Sequence, residues 1–509
     1  MESPKTVTFA ERHRYRNGSL LRRWGGLSVA FQLIAYLTAA LCGAGRAEAG
    51  TDERPLNFVL FVVDDLGWSD LGCYGSDLHE TPRIDRLART GMRFTDAYAA
   101  APVCSPTRAS IMTGKYPARL HITTWYGDAV DPEVNKEPNL KLIPPASEHN
   151  LAHREVTIAE ALKRAGYLTA HIGKWHLGDP AHYPQTQGFD INIGGTFSGC
   201  PASFFSPFFD ADGNAMPGLR TTRKGEYLTD RLTDEAVNFI GGTDGRPFFL
   251  HLAYYAVHTP IEGKPELVER YRKKIKPGMV HRNPAYAAMV ESVDRSVGRV
   301  LDKLDELGIA DRTVVILISD NGGAHYRYRG QIITSNRPLR AGKGTLYEGG
   351  VRVPLIVRWP GKTPARTVCR EPVISNDLYP TILDIAGVRD DRSHSDGIDG
   401  LSLVPLLEDP SARLPRDALF WHYPHYYYGM NTPVSSIRQG RWKLLEHLED
   451  GRLELYDLAR DIGETNNLAA AMPEKAERLR QRLDAWRRKV GARMPKPNPN
   501  WRPKREAHP

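Results

Sequence analysis

The run Cys104-Ser105-Pro106-Thr107-Arg108 sets a thiol, a helix-opening proline and a guanidinium where one anion could meet all three. Pro106 suits the first turn of a helix, and Arg108, four residues after Cys104, falls on the same face. A helix start attracts sulfate or phosphate through free N–H groups and the positive end of the dipole. Taken alone, the five residues also suit a buried thiol beside a surface arginine. Asp64, Asp65, Asp320 and Asn321 offer only oxygen ligands. Such ligands suit a hard divalent cation, and packed carboxylates need one to relieve their repulsion. An isolated Asp-Asp pair is more often a turn or a cap, so the second oxygen cluster matters. Lys174 and Lys343 sit among glycines, in Gly173-Lys174 and Gly342-Lys343-Gly344, where backbone can approach an anion closely. With Arg108 they are cations suited to anionic oxygens. His176 and His258 are the acid–base candidates, because imidazole exchanges protons near neutral pH, whereas His171 and His251 read as structural.

These residues are far apart in sequence, so the elements before them must bring them together. Asn57 to Val63 is an apolar run ending at Asp64, and Leu168 to Ile172 ends at Gly173-Lys174. Phe248 to Tyr255 runs out just before His258, and Thr313 to Ile318 stops at Ser319-Asp320-Asn321. Between them come helical patterns. Thr157-Ile158-Ala159-Glu160 is a capping box opening a helix that Gly166 closes, and Tyr286 to Leu307 carries Met289, Val293, Val297, Val300 and Leu304 on one stripe. The alternation predicts an α/β domain with a large, mainly parallel sheet flanked by helices. In such sheets ligands bind beyond the carboxyl ends of the strands, where the four polar clusters would converge. Val353 to Trp359 is expected to be a further core strand. From about Ser411 the pattern changes. Ser435 to Leu445 and Arg452 to Tyr456, around Glu449-Asp450-Gly451, read as a hairpin of a small antiparallel sheet carrying one helix, Pro473 to Val490.

The formal charge of +8 resides at the ends of the 509 residues. Met1 to Ala49 is net +4 and Ala485 to Pro509 net +7, leaving the body at −3. A mildly acidic body with basic ends does not resemble a nucleic-acid binder, whose basic residues would line one folded surface. The run from Arg487-Arg488-Lys489 to Lys504-Arg505 reads as a solvated extension. At the other end Arg12, Arg14, Arg16, Arg22 and Arg23 precede an uncharged stretch, and Ala47-Glu48-Ala49 offers a small-x-small cleavage site. The expected organisation is an export signal over 1–49, a catalytic domain over 50–410, a C-terminal subdomain over 411–490 and a basic tail over 491–509, in a periplasmic or secreted protein. If uncleaved, the stretch Gly25 to Gly45 is just long enough to anchor the chain in a bilayer, although its glycines and Gln32 weaken that reading. A lipidated Cys42 is disfavoured by Leu41, and Arg22-Arg23 fits a twin-arginine route only loosely.

The pentapeptide matches the C-x-P-x-R element of the sulfatases, and the likeness runs from about Asn57 to about Leu468. It includes Asp64-Asp65-Leu66-Gly67, Gly173-Lys174-Trp175-His176-Leu177-Gly178, His258-Thr259-Pro260, Ser319-Asp320-Asn321-Gly322 and Gly342-Lys343-Gly344-Thr345-Leu346-Tyr347-Glu348-Gly349-Gly350. The chain thus resembles the formylglycine-dependent, arylsulfatase-like family within the alkaline phosphatase superfamily. That resemblance implies an alkaline-phosphatase-like sheet with a smaller C-terminal α+β domain. It implies that a formylglycine-generating enzyme, or an anaerobic maturase, oxidises Cys104 to 3-oxoalanine. The aldehyde is hydrated to a gem-diol, one hydroxyl attacks sulfur, and the second then expels sulfate. Ca²⁺, with Mg²⁺ the weaker alternative, is implied at Asp64, Asp65, Asp320, Asn321 and the modified Cys104. Arg108, Lys174 and Lys343 take the sulfate oxygens, His176 assists the second hydroxyl, and His258 lies near the leaving oxygen. Many relatives carry a proline just ahead of that histidine, where this chain has Ala256-Val257. With Cys42 cleaved off and Cys104 modified, Cys73, Cys200 and Cys369 remain, enough for at most one disulfide. The expected substrate is a sulfated glycan or small molecule, first of all a carbohydrate. Its choice is expected to lie in Thr124 to Asn150, Ser198 to Arg223 and the ring-rich run His422 to Tyr428. That last run suits a domain interface equally well. The alternatives are a phosphoester or phosphonate monoester hydrolase of the same superfamily, and a silent carbohydrate-binding relative.

Overall fold

The computed structural model describes residues 54–126, 139–220, 222–388, 397–427 and 431–502, so the expected export signal lies outside the described residues. Its centre is β1 (Asn57–Val63), buried along all seven residues. Val59, Phe61 and Val63 enter one core while Phe58, Leu60 and Val62 enter another, as expected of an apolar run buried on both faces. Around it lie β2 (Met92–Phe94), β3 (Leu168–Gly173), β4 (Ile191–Ile193), β5 (Phe248–Tyr254), β6 (Thr313–Ser319), β7 (Leu355–Arg358) and β8 (Thr367–Cys369). They form one eight-stranded sheet in the order β8-β2-β7-β6-β1-β5-β3-β4. The strands β6, β1, β5, β3 and β4 are parallel. The expected core strand Val353–Trp359 is present as the shorter β7, which runs antiparallel to both β6 and β2.

Helices cover both faces. α1 (Pro82–Thr90), α4 (Leu228–Gly241) and α5 (Pro284–Glu306) pack on one side, α2 (Cys104–Thr113) and α3 (Ile158–Arg164) on the other. The capping box of α3 is formed: Thr157 Oγ1 accepts from Glu160 N–H at 3.1 Å and the Glu160 carboxylate from Thr157 N–H at 2.8 Å. Every residue of the apolar stripe on α5 is buried. Register then levels the strand ends, because Val63 stands opposite Tyr254 and Ser319, and Gly173 opposite Ala253. The four polar clusters therefore leave the sheet at one edge.

A second sheet is an antiparallel meander of β9 (Leu419–Tyr423), β10 (Val434–Gln439), β11 (Trp442–His447) and β12 (Leu453–Asp457). α6 (Pro473–Val490) packs on it, with the predicted limits. The expected single strand Ser435–Leu445 is two strands. Gly440, at φ +57°, and Arg441 turn the chain between Gln439 and Trp442, a two-residue hairpin that needs positive φ. The apolar face of this sheet joins Tyr98, Val103 and Leu346 in a third core. Glu348 lies beneath it, its carboxylate 2.8 Å from the Lys443 ammonium of β11, both wholly buried. Lys443 also pairs with Glu464 at 3.1 Å.

The expected basic extension is described as far as Arg502, and over 491–502 it is exposed or half-buried yet attached to the body of the protein. Lys496–Pro497 pairs with Leu142–Ile143, Asn498 donates to the Leu140 carbonyl at 2.8 Å, and the Lys141 ammonium lies over the Trp501 ring. Arg487 is buried in α6 and pairs with Glu446 at 2.8 Å. Backbone pairing and one aromatic anchor hold the segment, and neither shows in a charge count. Among the described residues no helix is long and apolar enough to cross a membrane, and Cys73, Cys104, Cys200 and Cys369 are free thiols.

Candidate active site

Asp64 and Asp65 follow β1 directly, and the backbone turns at once. Asp65 has φ +60°, in the left-handed region uncommon for a residue with a side chain. Its surroundings fix it there. Its N–H donates to Asp320 Oδ1 at 3.2 Å, its Oδ1 accepts from Asn321 Nδ2 at 2.8 Å, and the Tyr286 hydroxyl donates to its carbonyl at 3.2 Å. The same hydroxyl lies 2.5 Å from Asp70 Oδ2, which also accepts from Gly67 N–H at 2.7 Å. Asp70 is fully buried, yet the donors around it, His281 first, outweigh burial and hold its carboxyl down at about 2. Sequence reasoning missed this supporting layer. Its only trace is an acid five residues after Asp65.

The helix α2 starts at Cys104, and all ten of its residues are buried. Cys104 Sγ stands 3.4 Å from Asp64 Oδ1; burial first, then the Asp64 charge, pushes the thiol far up, so it is neutral. Arg108 is 2% exposed, which removes the surface-arginine reading. Its Nε and a terminal nitrogen each lie 2.8 Å from Asp320 Oδ2, and its other terminal nitrogen donates to the Lys174 carbonyl at 2.9 Å. Lys174 Nζ bonds Asp64 Oδ2 at 2.7 Å. Lys343 Nζ lies 2.8 and 2.9 Å from the two Asp65 oxygens. Three buried carboxylates thus face three buried cations. The glycines beside the two lysines also permit close packing. A Cβ on Gly173 would sit 1.8 Å from the Ala253 carbonyl oxygen, and one on Gly344, at φ +85°, 2.1 Å from the Tyr427 ring. The space they free is filled by the protein itself.

Ligand atoms of Asp64, Asp65, Asp320 and Cys104 all lie within 4.8 Å of one another. Asn321 Oδ1 is buried beside them without a hydrogen-bond partner. Burial, then the Asp64 charge, raises the Asp320 carboxyl to about 6 despite Arg108. Crowded carboxylates and an orphaned amide oxygen are the donor set a hard divalent cation requires, so these residues fit one.

His176, at φ +61°, sets its Nε2 3.3 Å from the Tyr126 carbonyl, while Nδ1 is buried and unpartnered. Burial, then Lys174 and Arg108, drives its pKa well down, so the ring is neutral. His258 Nε2 is 3.7 Å from Asp65, and Nδ1 lies 2.9 Å from the Thr259 carbonyl. Burial and Lys343 bring it to about 3. His171 and His251 are the structural pair expected, their Nδ1 atoms 3.0 Å apart in the core. All ten predicted site residues therefore gather at one end of the sheet.

Cys104, His176, His258 and Lys343 line a cleft of about 410 Å³. Its walls come from all three irregular segments singled out for substrate choice: Trp125 and Tyr126 from the first, Cys200 and Asp212 from the second, and Tyr427 from the third. Phe197 and Tyr326 complete it without a sequence signal. Of the ring-rich run, Tyr423 belongs instead to the C-terminal core, and Tyr428 lies outside the described residues. A larger cavity, about 950 Å³ beside His281 and Arg337, is lined by none of the predicted site residues.

A family profile described as Sulfatase matches residues 56–388, which include every residue lining this cleft except Tyr427. The chain belongs to the sulfatase family. A second profile, for the C-terminal part of N-sulphoglucosamine sulphohydrolase, matches residues 342–489 of this sulfatase. It is 34% identical to a sulfatase of Formosa agariphila, over 89% of this chain and 92% of that protein. It is 33% identical to the steryl-sulfatase of Mus musculus, over 89% and 84%. Among solved structures it resembles Ps i-CgsB in complex with k-i-k-neocarrahexaose, at 30% identity and TM-score 0.70, over 85% of this chain and 93% of that one. The protein is thus a sulfuric ester hydrolase with the alkaline-phosphatase-like fold. The phosphonate monoester hydrolase of Agrobacterium radiobacter, at 21% identity and TM-score 0.62, shares the fold alone.

Proposed function

We propose that this sulfatase is an exported enzyme that hydrolyses a sulfate monoester, most readily on a sugar, through a formylglycine made from Cys104 and with Ca²⁺ as its metal. The observation that carries the reading is the position of Cys104. It starts a buried helix at the floor of an aromatic cleft, with its Sγ 3.4 Å from Asp64 in a group of oxygen ligands. The oxidised residue supplies, as its hydrate, an oxygen nucleophile that the thiol lacks. A divalent cation held by Asp64, Asp65, Asp320 and Asn321 supplies charge neutralisation beside it. The chain's own groups do the rest. Arg108 and Lys174 fix Asp320 and Asp64, and Lys343, which lines the cleft, is the ammonium placed to meet sulfate oxygens. A charge-assisted bond contributes about 1.5–3 kcal/mol, against a barrier reduction on the order of 20 kcal/mol for so inert an ester; no single cation suffices. His176, neutral with Nδ1 unpartnered, takes the proton from residue 104 as sulfate departs. His258 shares the cleft with it, its ring fixed by Thr259, and exchanges a proton near the leaving oxygen.

The complex of Ps i-CgsB with an oligosaccharide supports a sugar substrate, and the N-terminal arginines followed by an uncharged run support export. The test is mass spectrometry of the peptide containing residue 104, from protein made in a host with the oxidising machinery, alongside sulfate release from a panel of sulfated sugars. The expected result is thiol sulfur replaced by carbonyl oxygen, with turnover that tracks the converted fraction. Full turnover by protein retaining the thiol would refute the mechanism.

A further inference from the structure

We propose that the cleft selects substrates whose sulfate is their only charge: an uncharged ring bearing one sulfate ester, in preference to rings that also carry a carboxylate or a second sulfate. The inference rests on the sulfatase reading and adds the class of ring it accepts. Above the catalytic floor the walls are aromatic. Trp125 meets Tyr427 edge to face at 5.5 Å between ring centroids, and Tyr126 leans on Phe197 at 5.5 Å, with Tyr326 beside them. Such faces hold the C–H side of a sugar or an aryl ring; their hydroxyls and the indole N–H give an anion neutral hydrogen bonds but no counter-charge. At about 410 Å³ the cleft lies at the small end of the ligand-pocket range of roughly 300–1,000 Å³, so the ring that bears the sulfate stands against these walls.

The charges point the same way. Among the described residues that line the cleft, Lys343 is the only ammonium or guanidinium, and it is paired with Asp65. The sole carboxylate among them is Asp212, exposed to solvent. An extra anion on the substrate would lose water without gaining a counter-charge and would also meet Asp212, two repulsive elements of the kind that set specificity. A cleft built for multiply sulfated or uronate-bearing rings would place arginine or lysine where these rings and Asp212 stand.

The experiment uses full-length matured enzyme and matched substrate pairs. One arm compares hexose monosulfates with the corresponding disulfates. The other compares the sulfate ester of methyl 4-hydroxybenzoate with that of the free 4-hydroxybenzoic acid. Each pair is measured on wild type and on Asp212→Asn. In wild type kcat/KM should favour the singly charged member by about tenfold or more, and Asp212→Asn should narrow that ratio by about fivefold, the worth of one exposed like-charge contact. Which arm shows the higher absolute rate tells a sugar from an aryl substrate. Equal or better turnover of the doubly charged members, or a ratio unmoved by Asp212→Asn, overturns the proposal while leaving the sulfatase reading intact. If neither member of any pair is cleaved, the hydrolytic reading fails and this inference with it.

Discussion

Replacing Asp320 by Asn preserves shape and an oxygen donor while removing one negative charge from a balanced cluster. Asp64, Asp65 and Asp320 are matched by Arg108, Lys174 and Lys343, so the variant leaves the cluster one charge positive. One pair of unit charges about 4 Å apart, at an effective dielectric of about 20, is worth about 4 kcal/mol. A dication therefore loses at least that much attraction, and calcium affinity should fall about a thousandfold. Folding suffers separately. Arg108 loses the negative charge behind its two 2.8 Å contacts to Asp320 Oδ2 and keeps Asp64, at 3.8 Å, as its carboxylate and the Lys174 carbonyl, at 2.9 Å, as a neutral acceptor; a buried charge stripped of its partner costs about 3–5 kcal/mol. Calorimetric titration with calcium chloride reads the first effect and thermal unfolding in chelator the second. The double variant Asp320→Asn with Arg108→Met separates them, because it restores the charge balance and should recover stability, while affinity stays below wild type for want of the carboxylate ligand. A folded Asp320→Asn protein that binds calcium within about threefold of wild type would refute the ligand assignment.

Two further outcomes follow from the layers behind the site. Tyr286→Phe removes the hydroxyl that meets both the Asp65 carbonyl and Asp70; it should lower stability by about 1–3 kcal/mol and weaken calcium binding by about tenfold, and unchanged affinity by titration would show that the turn at Asp65 holds itself. On α5, Asp294 accepts from the backbone N–H groups of Arg83 and Ile84 at 2.9 and 2.8 Å, and burial raises its carboxyl to about 7. The unfolded carboxyl titrates near 4, so between the two values the folded state holds the proton more tightly. The stability this group contributes is complete below about pH 4 and is lost as pH rises toward 7. Asp294→Asn should therefore melt above wild type at about pH 8 and lose that advantage by about pH 4; an advantage that does not change with pH would sink the account.

Much of the scaffold could be read from residues because strands buried on both faces have no choice of composition. Phe58–Val63 and Val314–Ile318 are unbroken apolar runs, and the polar residues after each are conspicuous. Where a signal is local it carried through, as with the capping box at Thr157 and the limits of α6. The sense of β7 carries no such mark, since its four residues read alike in either direction. The strand Ser435–Leu445 was split by a turn whose only cue is Gly440. At the site, side-chain type told which groups could act but not whom they face. Lys174 opposite a carboxylate and Lys174 opposite a sulfate are the same letter in the same glycine-flanked motif. The cleft walls were legible only as irregular segments, because Tyr126, Phe197 and Asp212 are placed by long-range packing.

The buried contact between Glu348 and Lys443 also bears on how such a chain can be recombined. Glu348 opens the short helix Glu348–Val351 that follows the Lys343 loop, whereas Lys443 sits on the meander. A crossover between them that imports an apolar residue on one side would strand a buried charge between the large sheet and the meander. Shuffled or truncated versions should therefore fail as whole molecules, and workable hybrids must inherit both partners from one parent.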